Sequence, residues 1–368
     1  MTVQSPTPPQ AGRDHPPGDG PLDGPAPENP LLLEALAPWH LPLLGDPAFV
    51  PLQPLLQRAV LLQWPERLVE VMRGRRGLIP QVLVARQGQG AAGLIVSRQI
   101  NRSGSCWQVQ HLRLAVPSGR RELAKLLLAE AILRAQGATS WIATSSTADL
   151  DRLAALREQG FQPLRTERLW RWRADPDAPA AAAELRQPSG EPLLRVLNRR
   201  TALALLQLEQ VACPAQLRQL LDRCSDDLLD QSRGRGWLLV DAARNQAVAG
   251  VRWLAEHPGG GHDLELTVHP GWTHLIGAGT ERLLLQAQQA LGDDEPLWLR
   301  TDVHDSALEQ WLLRRGAESR GERVLMARSV WRRQDLHAPA RQAARRIEAV
   351  LEQLQPRRSP MPTPLRPR

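Results

Sequence analysis

The sequence predicts an α+β fold made of two copies of one domain in tandem, and two observations support this prediction. The first is a hairpin pattern that occurs twice, over 83–96 and again over 239–253: an apolar run, a polar turn, and a glycine that opens a second apolar run. The second is that both hairpins are followed by the same order of elements, which closes on Gly160 and on Gly316. A repeat of this length indicates a duplicated domain. A chain of 368 residues gives each copy room for its own core.

The first copy is expected over 31–175, after a tail. Residues 1–30 are rich in Pro, Gly and Asp without apolar periodicity, so we expect disorder there. The stretch 31–55 is apolar but broken by prolines and predicts no clear element, whereas helical spacing appears at 55–62 and 66–72. Alternating or apolar runs predict the strands, and leucine-rich spacing predicts the helices. The strands are 82–86, 93–99, 107–116, 141–144 and 167–172, and the helices are 122–136 and 149–158.

The second copy is expected over 193–333, after a linker. The linker, 176–192, carries Asp-Pro, Ala-Pro, a run of alanines and Pro-Ser-Gly. The predicted helices are 201–211, 214–223, 279–290 and 307–315, and the predicted strands are 237–240, 250–254, 264–268, 297–303 and 322–329. A basic segment, 334–368, ends the chain, with an amphipathic helix at 338–354 and a Pro/Arg tail from 356 that we expect to be disordered.

Composition excludes several classes of function. The net charge is +7, but much of the excess lies in the arginines of the last forty or so residues, and elsewhere Arg alternates with Glu and Asp. This distribution argues against specific nucleic-acid binding. Cys106, Cys213 and Cys224 are scattered without metal-ligand spacing, so we expect reduced thiols and no metal. Without a signal peptide or an apolar run of roughly 20 residues, the sequence predicts a cytoplasmic protein with no membrane partner.

The order of elements resembles the GNAT-type N-acetyltransferases. The second copy carries the likeness in 264–270 (Leu-Glu-Leu-Thr-Val-His-Pro), the form in which that family's central strand ends. It continues in 274–279 (His-Leu-Ile-Gly-Ala-Gly), at the position of the family's Arg/Gln-x-x-Gly-x-Gly/Ala loop, and in the segment 305–317. The two copies together resemble the tandem layout of mycothiol synthase-like acetyltransferases. The resemblance implies a mixed, mostly antiparallel sheet flanked by helices in each copy, and acetyl-CoA as the acyl donor.

The resemblance also implies where the donor binds. A helix N-terminus offers unpaired N–H groups and a partial positive charge to a pyrophosphate, and glycines let the main chain approach. The residues expected to bind the cofactor are Val268, His274, Gly277, Ala278 and Gly279. The alternative is that the glycines only form a turn. In the first copy Glu122 stands where the family has glycine and would repel phosphate, while Arg120 and Arg121 either pair with phosphate or are simply solvated.

Acetyl transfer to an amine needs a base to remove a proton. Glu265 is the candidate, because it lies on the central strand with its side chain opposite Leu264 and Leu266. The alternative is a solvent-facing strand residue. The first copy has Arg113 at the corresponding place, and a cation cannot serve as a base. Secondary candidates are His269, Asp302, His304 and Asp305 in the second copy and His111 in the first.

The chain contains no tyrosine, and Leu156 and Leu312 occupy the positions of the tyrosine that donates a proton in many members of the family. The prediction is therefore an acyltransferase whose second copy is active on an amine acceptor, either a small molecule or a protein, beside a degenerate first copy. The alternatives are a non-catalytic acyl-CoA-binding or scaffold protein, and a basic adaptor that works through its C-terminal segment. The oligomeric state is left open.

Overall fold

A computed structural model describes residues 30–61, 80–135, 137–174, 192–292 and 294–329. The predicted disordered termini, the predicted helices at 66–72 and 338–354 and nearly all of the predicted linker lie outside these residues. The boundaries 31–175 and 193–333 therefore stay a prediction. Within the described residues, no helix is long and apolar enough to span a bilayer.

The described elements follow the predicted order. The first copy contains strands β1 (Leu31–Ala35), β2 (Gln81–Gln87), β3 (Gly90–Gln99), β4 (Cys106–Leu114), β5 (Ser140–Ser146) and β6 (Gln162–Trp172), and helices α1 (53–61), α2 (Arg120–Arg134) and α3 (Leu150–Glu158). The second contains β7 (Leu193–Val196), β8 (Gly236–Asp241), β9 (Gln246–Glu256), β10 (His262–Val268), β11 (Leu297–Asp302) and β12 (Glu318–Ser329), and helices α4 (Ala202–Ala212), α5 (Ala215–Leu221), α6 (Ser225–Ser232), α7 (Ala278–Leu291) and α8 (Ser306–Arg314).

Three of these elements were not predicted from the sequence. Strands β1 and β7 are the two outer strands of the sheet, each paired on one side with its neighbour, β2 or β8. Both are short, so the period-two signal is weak, and pairing with a longer strand provides their order. Helix α6 begins after Cys224 with Asp227 accepting from the Cys224 backbone N–H at 2.7 Å, a capping arrangement in an otherwise polar stretch.

The two copies exchange their last strands. All twelve strands form one sheet in the order β1-β2-β3-β4-β5-β12-β6-β11-β10-β9-β8-β7. Strand β12, at the end of the second copy, pairs with β5 of the first, and β6, at the end of the first copy, pairs with β11 of the second. The β4–β5 and β10–β11 pairs are parallel and the other described pairs are antiparallel, which confirms a mixed, mostly antiparallel sheet. The exchange makes each copy depend on the other.

Side chains of the exchanged strands pack in the core of the other copy. Met326 of β12 is 0% exposed in the first copy's core, with α2 and α3. Trp170 and Trp172 of β6 are buried in the second copy's core with α7 and α8, and the Trp170 indole N–H donates to the Thr301 hydroxyl at 2.8 Å. Each core is thus completed by a strand from the other copy.

Helices cover both faces of the sheet. Helices α2, α3, α7 and α8 lie on one face. On the other face α1 packs on β2 and β3, and α4 and α6 pack on the second copy. Helix α5 crosses to the first copy, where Leu217 and Leu221 pack against Ile142 and Leu325. The first copy also contacts the next helix, α6, where the Arg102 backbone N–H donates to Asp227 Oδ1 at 2.7 Å.

Each parallel pair of strands is short and then diverges. Strands β4 and β5 pair only from Cys106 to Val109, and β10 and β11 only at His262 and Asp263. Beyond these points lies the first notch, between 110–114 and 144–146, and the second notch, between 264–268 and 299–302. A helix begins shortly after the first strand of each parallel pair: α2 follows β4, and α7 follows β10.

Candidate functional site

A cavity of about 900 Å³ lies at the centre of the sheet, on the face that carries α4 and α5. Both copies line it. The first notch contributes His111 and Arg113, and the second contributes Glu265 and Thr267. The exchanged strands form its floor, with Glu167 from β6 and Arg323 from β12. The cavity therefore exists only when both copies are assembled.

The lining of the cavity differs between the two notches. In the second notch it is lined by Glu265 and Thr267, and also by Leu266 and Val268, whose side chains project to the opposite face and pack with the α7 core. In the first notch Gln110, His111 and Arg113 line it, whereas Leu112 and Leu114 pack in the core and do not. The cavity thus passes through the second notch to the α7 face of the sheet.

The edge of β10 is free along this passage. From Leu264 to Val268 the strand pairs with β9 on one side, but within the described residues it has no strand partner on the side of β11. Backbone N–H and C=O groups on such an edge can bind an extended ligand as an additional strand would.

Glu265 is held by a buried arginine. Arg252, 1% exposed, lies directly opposite Glu265 on β9, and its Nη2 contacts Glu265 Oε2. The Arg252 Nε donates to Glu209 Oε1 at 2.7 Å and its Nη1 donates to Gln231 Oε1 at 3.1 Å. The Glu265 side chain remains 36% exposed, at the wall of the cavity. One oxygen is therefore tied to Arg252 and the group still borders open space.

The electrostatic environment of Glu265 keeps it ionised. Burial alone raises the pKa of this carboxyl, but the charges of Arg252, then Arg223, Arg165 and Arg300, outweigh burial and lower it to about 2. A carboxylate with so low a pKa is anionic at neutral pH and binds a proton weakly, so it is a strong electrostatic group and a poor base.

The predicted cofactor residues fall into two places. Val268 lines the cavity, whereas His274, Gly277, Ala278 and Gly279 lie together at the start of α7, outside the cavity lining. Gly277 has a φ of +154°, a conformation that favours glycine, and precedes the first helical residue. The first N–H groups of α7 have no partner within the helix, and Ala278 is exposed beside them.

Gly279 also has a packing role. A Cβ at this position would lie 3.2 Å from Leu275 Cδ2 and 3.3 Å from Leu239 Cδ1. Glycine at 279 therefore lets α7 pack closely against β8, whatever binds at the helix start.

The predicted register of the first copy's loop is wrong by one residue. Helix α2 begins at Arg120 after Gly119, which has a φ of +68°, so Gly119 occupies the place of Gly277. Arg121, and not Glu122, then corresponds to Gly279. Arg121 contacts Glu158, and Arg120 Nη1 lies 3.4 Å from the Leu114 carbonyl oxygen, so both arginines already have protein partners.

Three of the secondary acid–base candidates have local structural partners. His269 Nδ1 accepts from the Gly271 N–H at 3.0 Å, Asp305 Oδ1 caps α8 through the Leu308 N–H at 3.1 Å, and Asp302 Oδ1 accepts from the His304 N–H at 3.0 Å. Asp302 and Asp305 also line the cavity, whereas His304 is exposed. Leu156 and Leu312 are fully buried, so the positions of the family's tyrosine are core positions in this chain.

Several residues of the site were missed from the sequence. Arg252 binds Glu265, and Glu209 binds Arg252. Arg98 of β3 and Arg323 of β12 line the cavity. Burial, and then the charges of Arg113, Arg152 and Arg98, lower the pKa of His111 to about 4, so this imidazole is neutral at neutral pH. Alternation along a strand separates its two faces, but it does not tell a cavity from solvent.

The described residues contain no group of three His, Cys, Asp or Glu side chains that could hold a metal ion. Cys106, Cys213 and Cys224 are free thiols. Burial raises the pKa of Cys106 to about 11, which makes it a poor nucleophile at neutral pH.

Comparison with known proteins identifies the fold. No protein-family model matches the sequence, and the search of curated proteins finds no match. A GCN5-related glucosamine N-acetyltransferase region in a fungal multi-domain β-N-acetylglucosaminidase is similar, with a TM-score of 0.51 and 12% identity over 83% of this chain and 39% of that chain. A Drosophila protein matches with a TM-score of 0.50 and 15% identity over 81% of this chain and 98% of that chain. A tandem GNAT protein from the clavulanic acid biosynthesis pathway matches with a TM-score of 0.46 and 17% identity over 69% of this chain and 83% of that chain.

Proposed function

We propose that this chain, which has the fold of the GNAT-type N-acetyltransferases, transfers an acetyl group from acetyl-CoA to an amine, with the donor bound by the second copy. The observation that carries the proposal is the cavity that passes through the second notch. It connects a chamber lined by both copies to the α7 face of the sheet. A donor on one face and an acceptor on the other would meet in the notch, which aligns the two reactants for attack.

Residues of the second copy suit the donor. The free edge of β10, from Leu264 to Val268, offers N–H and C=O groups to the amides of the pantetheine arm. Gly277, Ala278 and Gly279 begin α7, whose unpaired N–H groups and partial positive charge suit the pyrophosphate. His274 is exposed in the same loop. Acetyl-CoA supplies the thioester, and these residues would hold and orient it.

In this proposal Glu265 stabilises charge and is not the final proton acceptor. Attack of the amine on the thioester places positive charge on nitrogen, and a carboxylate beside it stabilises that charge. Taking a proton from an alkylammonium, whose pKa is about 10, is strongly unfavourable for a carboxyl whose pKa the neighbouring arginines lower to about 2. The proton therefore leaves to water or to the released thiolate, and Glu265 lowers the barrier by electrostatics.

Calorimetry with acetyl-CoA tests donor binding. We expect one acetyl-CoA per chain. Ala278→Glu should weaken binding by about tenfold or more, because it places an anion where the phosphates would lie, while an acid in the first turn suits the helix dipole and spares the fold. The matched control is Arg120→Glu, the same helical position in the first copy, which should bind as the wild type does. No heat with millimolar acetyl-CoA would refute the proposal, and two bound molecules would refute the asymmetry.

A screen of amines with bound acetyl-CoA tests transfer. Glu265→Gln should lower turnover by roughly a hundredfold, with donor affinity unchanged, because the amide keeps the shape and loses the charge. Equal turnover in the two proteins would remove Glu265 from the mechanism. Firm donor binding without transfer to any amine would favour the non-catalytic acyl-CoA-binding alternative.

A further inference from the structure

We infer that the first-notch side of the cavity binds an anionic group, so that the acceptor carries a carboxylate or a phosphate in addition to its amine. The site consists of Arg113 and Arg323 at the first notch and of Arg98, which lines the same cavity below the notch, level with Gln108. The charges of Arg113 and Arg98 both act on His111. The acceptor class rests on the proposed acetyl transfer, but the anion site itself is a property of the apo protein and can be measured without acetyl-CoA.

Three strands bring these arginines together. Arg98 lies on β3 and Arg113 on the part of β4 that has left its pairing with β5. Arg323 lies on β12 opposite Ser146, at the far side of the first notch from Arg113. All three line the cavity. The strand exchange is essential, because Arg323 belongs to the second copy and reaches this notch only through β12.

Their charges are not neutralised by the protein. Among the described residues none of the three forms an ion pair, and the Nε of Arg98 is buried without a hydrogen-bond partner. The nearest carboxylates are occupied elsewhere: Glu167 pairs with Arg165 at 2.6 Å and Asp263 with Arg300 at 3.5 Å. Arg98 and Arg323 are half-buried, whereas Arg113 is exposed. An unpaired and partly desolvated charge is costly, so proteins retain it where a ligand compensates it.

Neighbouring cations increase this cost. Burial, then the charges of Arg252, Arg223 and Arg233, lower the pKa of Arg98 to about 10. The guanidinium therefore remains charged at neutral pH, although neighbouring cations repel it. Burial and the charges of Arg300 and Arg113 lower the pKa of Arg323, and the carboxylates of Asp263 and Glu167 offset this only in part. An anion among these groups would relieve both effects.

One row of the cavity floor carries a cation at the first notch and carboxylates toward the second, while Arg165 and Arg300, which pair with Glu167 and Asp263, also line the floor. Arg323, Glu167 and Asp302 stand in register on β12, β6 and β11, so their side chains share the cavity face. Asp302 and Asp305, at the second notch, form no ion pair with a described residue, and Glu265 lies across that notch. An acceptor with its amine at the second notch and its anion at the first complements this pattern.

In the proposed function the phosphates of acetyl-CoA would bind at the start of α7, away from the arginine site. The start of α7 lies with the helices packed on Leu264 and Leu266, on the face opposite Glu265 and the arginines. The arginine site is therefore available to the acceptor when the donor is bound.

The test is calorimetry of the full chain without acyl-CoA. The probes are ω-amino carboxylates from glycine to 8-aminooctanoate, with the alkylamine of each length as reference and the corresponding amino phosphates as a second series. We expect one length of amino acid or amino phosphate to bind at least about tenfold more tightly than its amine. The stronger of the two series identifies the anion.

Arg98→Met and Arg323→Met should each abolish this advantage. Arg328→Met is the matched control, since Arg328 lies on the same strand as Arg323 but does not line the cavity, and it should keep the advantage. Because Arg98→Met removes an unpaired buried charge, its melting temperature should equal or exceed that of the wild type, so loss of binding cannot be ascribed to unfolding.

Equal binding of amines and their anionic counterparts in the wild type, or an advantage that survives both variants, would overturn the inference. Loss of acetyl-CoA binding in Arg98→Met or Arg323→Met would also overturn it, by assigning the arginines to the donor's phosphates. Failure of donor binding in the wild type refutes the proposed function alone, because the anion measurements do not involve acetyl-CoA.

Discussion

The exchange of β6 and β12 predicts that a substitution at the end of the second copy destabilises the first. The substitution is Met326→Ala. Met326 is 0% exposed, lies opposite Ala143 of β5, and packs in the core that contains Leu156 and Phe161. The backbone pairing of β12 stays intact, so the change removes only side-chain contacts of the first copy's core.

The expected cost follows from the buried side chain. Truncating a fully buried methionine to alanine costs about 2–5 kcal/mol of unfolding free energy, because it loses apolar burial and leaves a cavity. This is a large part of the roughly 5–15 kcal/mol that stabilises a folded domain. Met326→Leu conserves volume and should cost less than about 1.5 kcal/mol. Leu313→Ala, at a side chain 58% exposed on α8, should change stability by no more than about 0.5 kcal/mol.

Urea denaturation followed by tryptophan fluorescence measures the loss, and hydrogen exchange locates it. We expect a lower midpoint for Met326→Ala, with faster exchange in β5, α2 and α3. A loss below about 1 kcal/mol would refute the reasoning, since it is less than half of the smallest expected cost. So would faster exchange confined to α7 and α8 with the first copy unchanged, because the second copy would then fold around its own last strand.

Two further predictions come from the exchange and from the Glu265 pair. A chain ending at residue 174 lacks β12 and leaves β5 unpaired on one side, so neither it nor a chain beginning at residue 192 should fold alone. Co-expression of the two chains should restore a cooperative thermal unfolding transition, measured by circular dichroism. A cooperative transition of either half alone would contradict this. The pKa of Glu265 is about 2 in the folded protein and about 4.3 in an unfolded chain. Ionised Glu265 therefore stabilises the fold fully above the unfolded pKa, and this stabilisation is lost as the pH falls through the folded pKa. Glu265→Gln should therefore be less stable than wild type at neutral pH and equal to it near pH 2, and a stability difference that does not change with pH would refute this assignment.

Much of the secondary structure was predictable because each element carries its own pattern. Alternation in 264–268 places Glu265 opposite Leu264 and Leu266, and the structure has that arrangement. Leucine spacing predicted α2 and α7, and glycine predicted the start of α7. Edge strands β1 and β7 were missed, because a short strand paired on one side is ordered by its neighbour more than by its own residues.

The candidate site was less accessible to sequence reasoning. Glu265 was identified, but its pairing with Arg252 depends on the register between β9 and β10. The low pKa of Glu265 depends on arginines from three other strands and from the loop between α5 and α6. Arg98, Arg113 and Arg323 lie far apart in the sequence and come to one cavity only in the assembled sheet. Spacing along a chain contains no information about such a meeting.

The sequence by itself determined that the chain holds two similar α+β copies, which face of each strand and helix is apolar, and where α7 begins after its glycines. Periodicity and turn residues encode these features locally. Only the tertiary structure decided that β6 and β12 change places and that one notch opens through the sheet while the other does not. The physical reason is that the local pattern of a strand specifies which of its faces is buried, whereas its neighbour is chosen by the packing of the whole sheet.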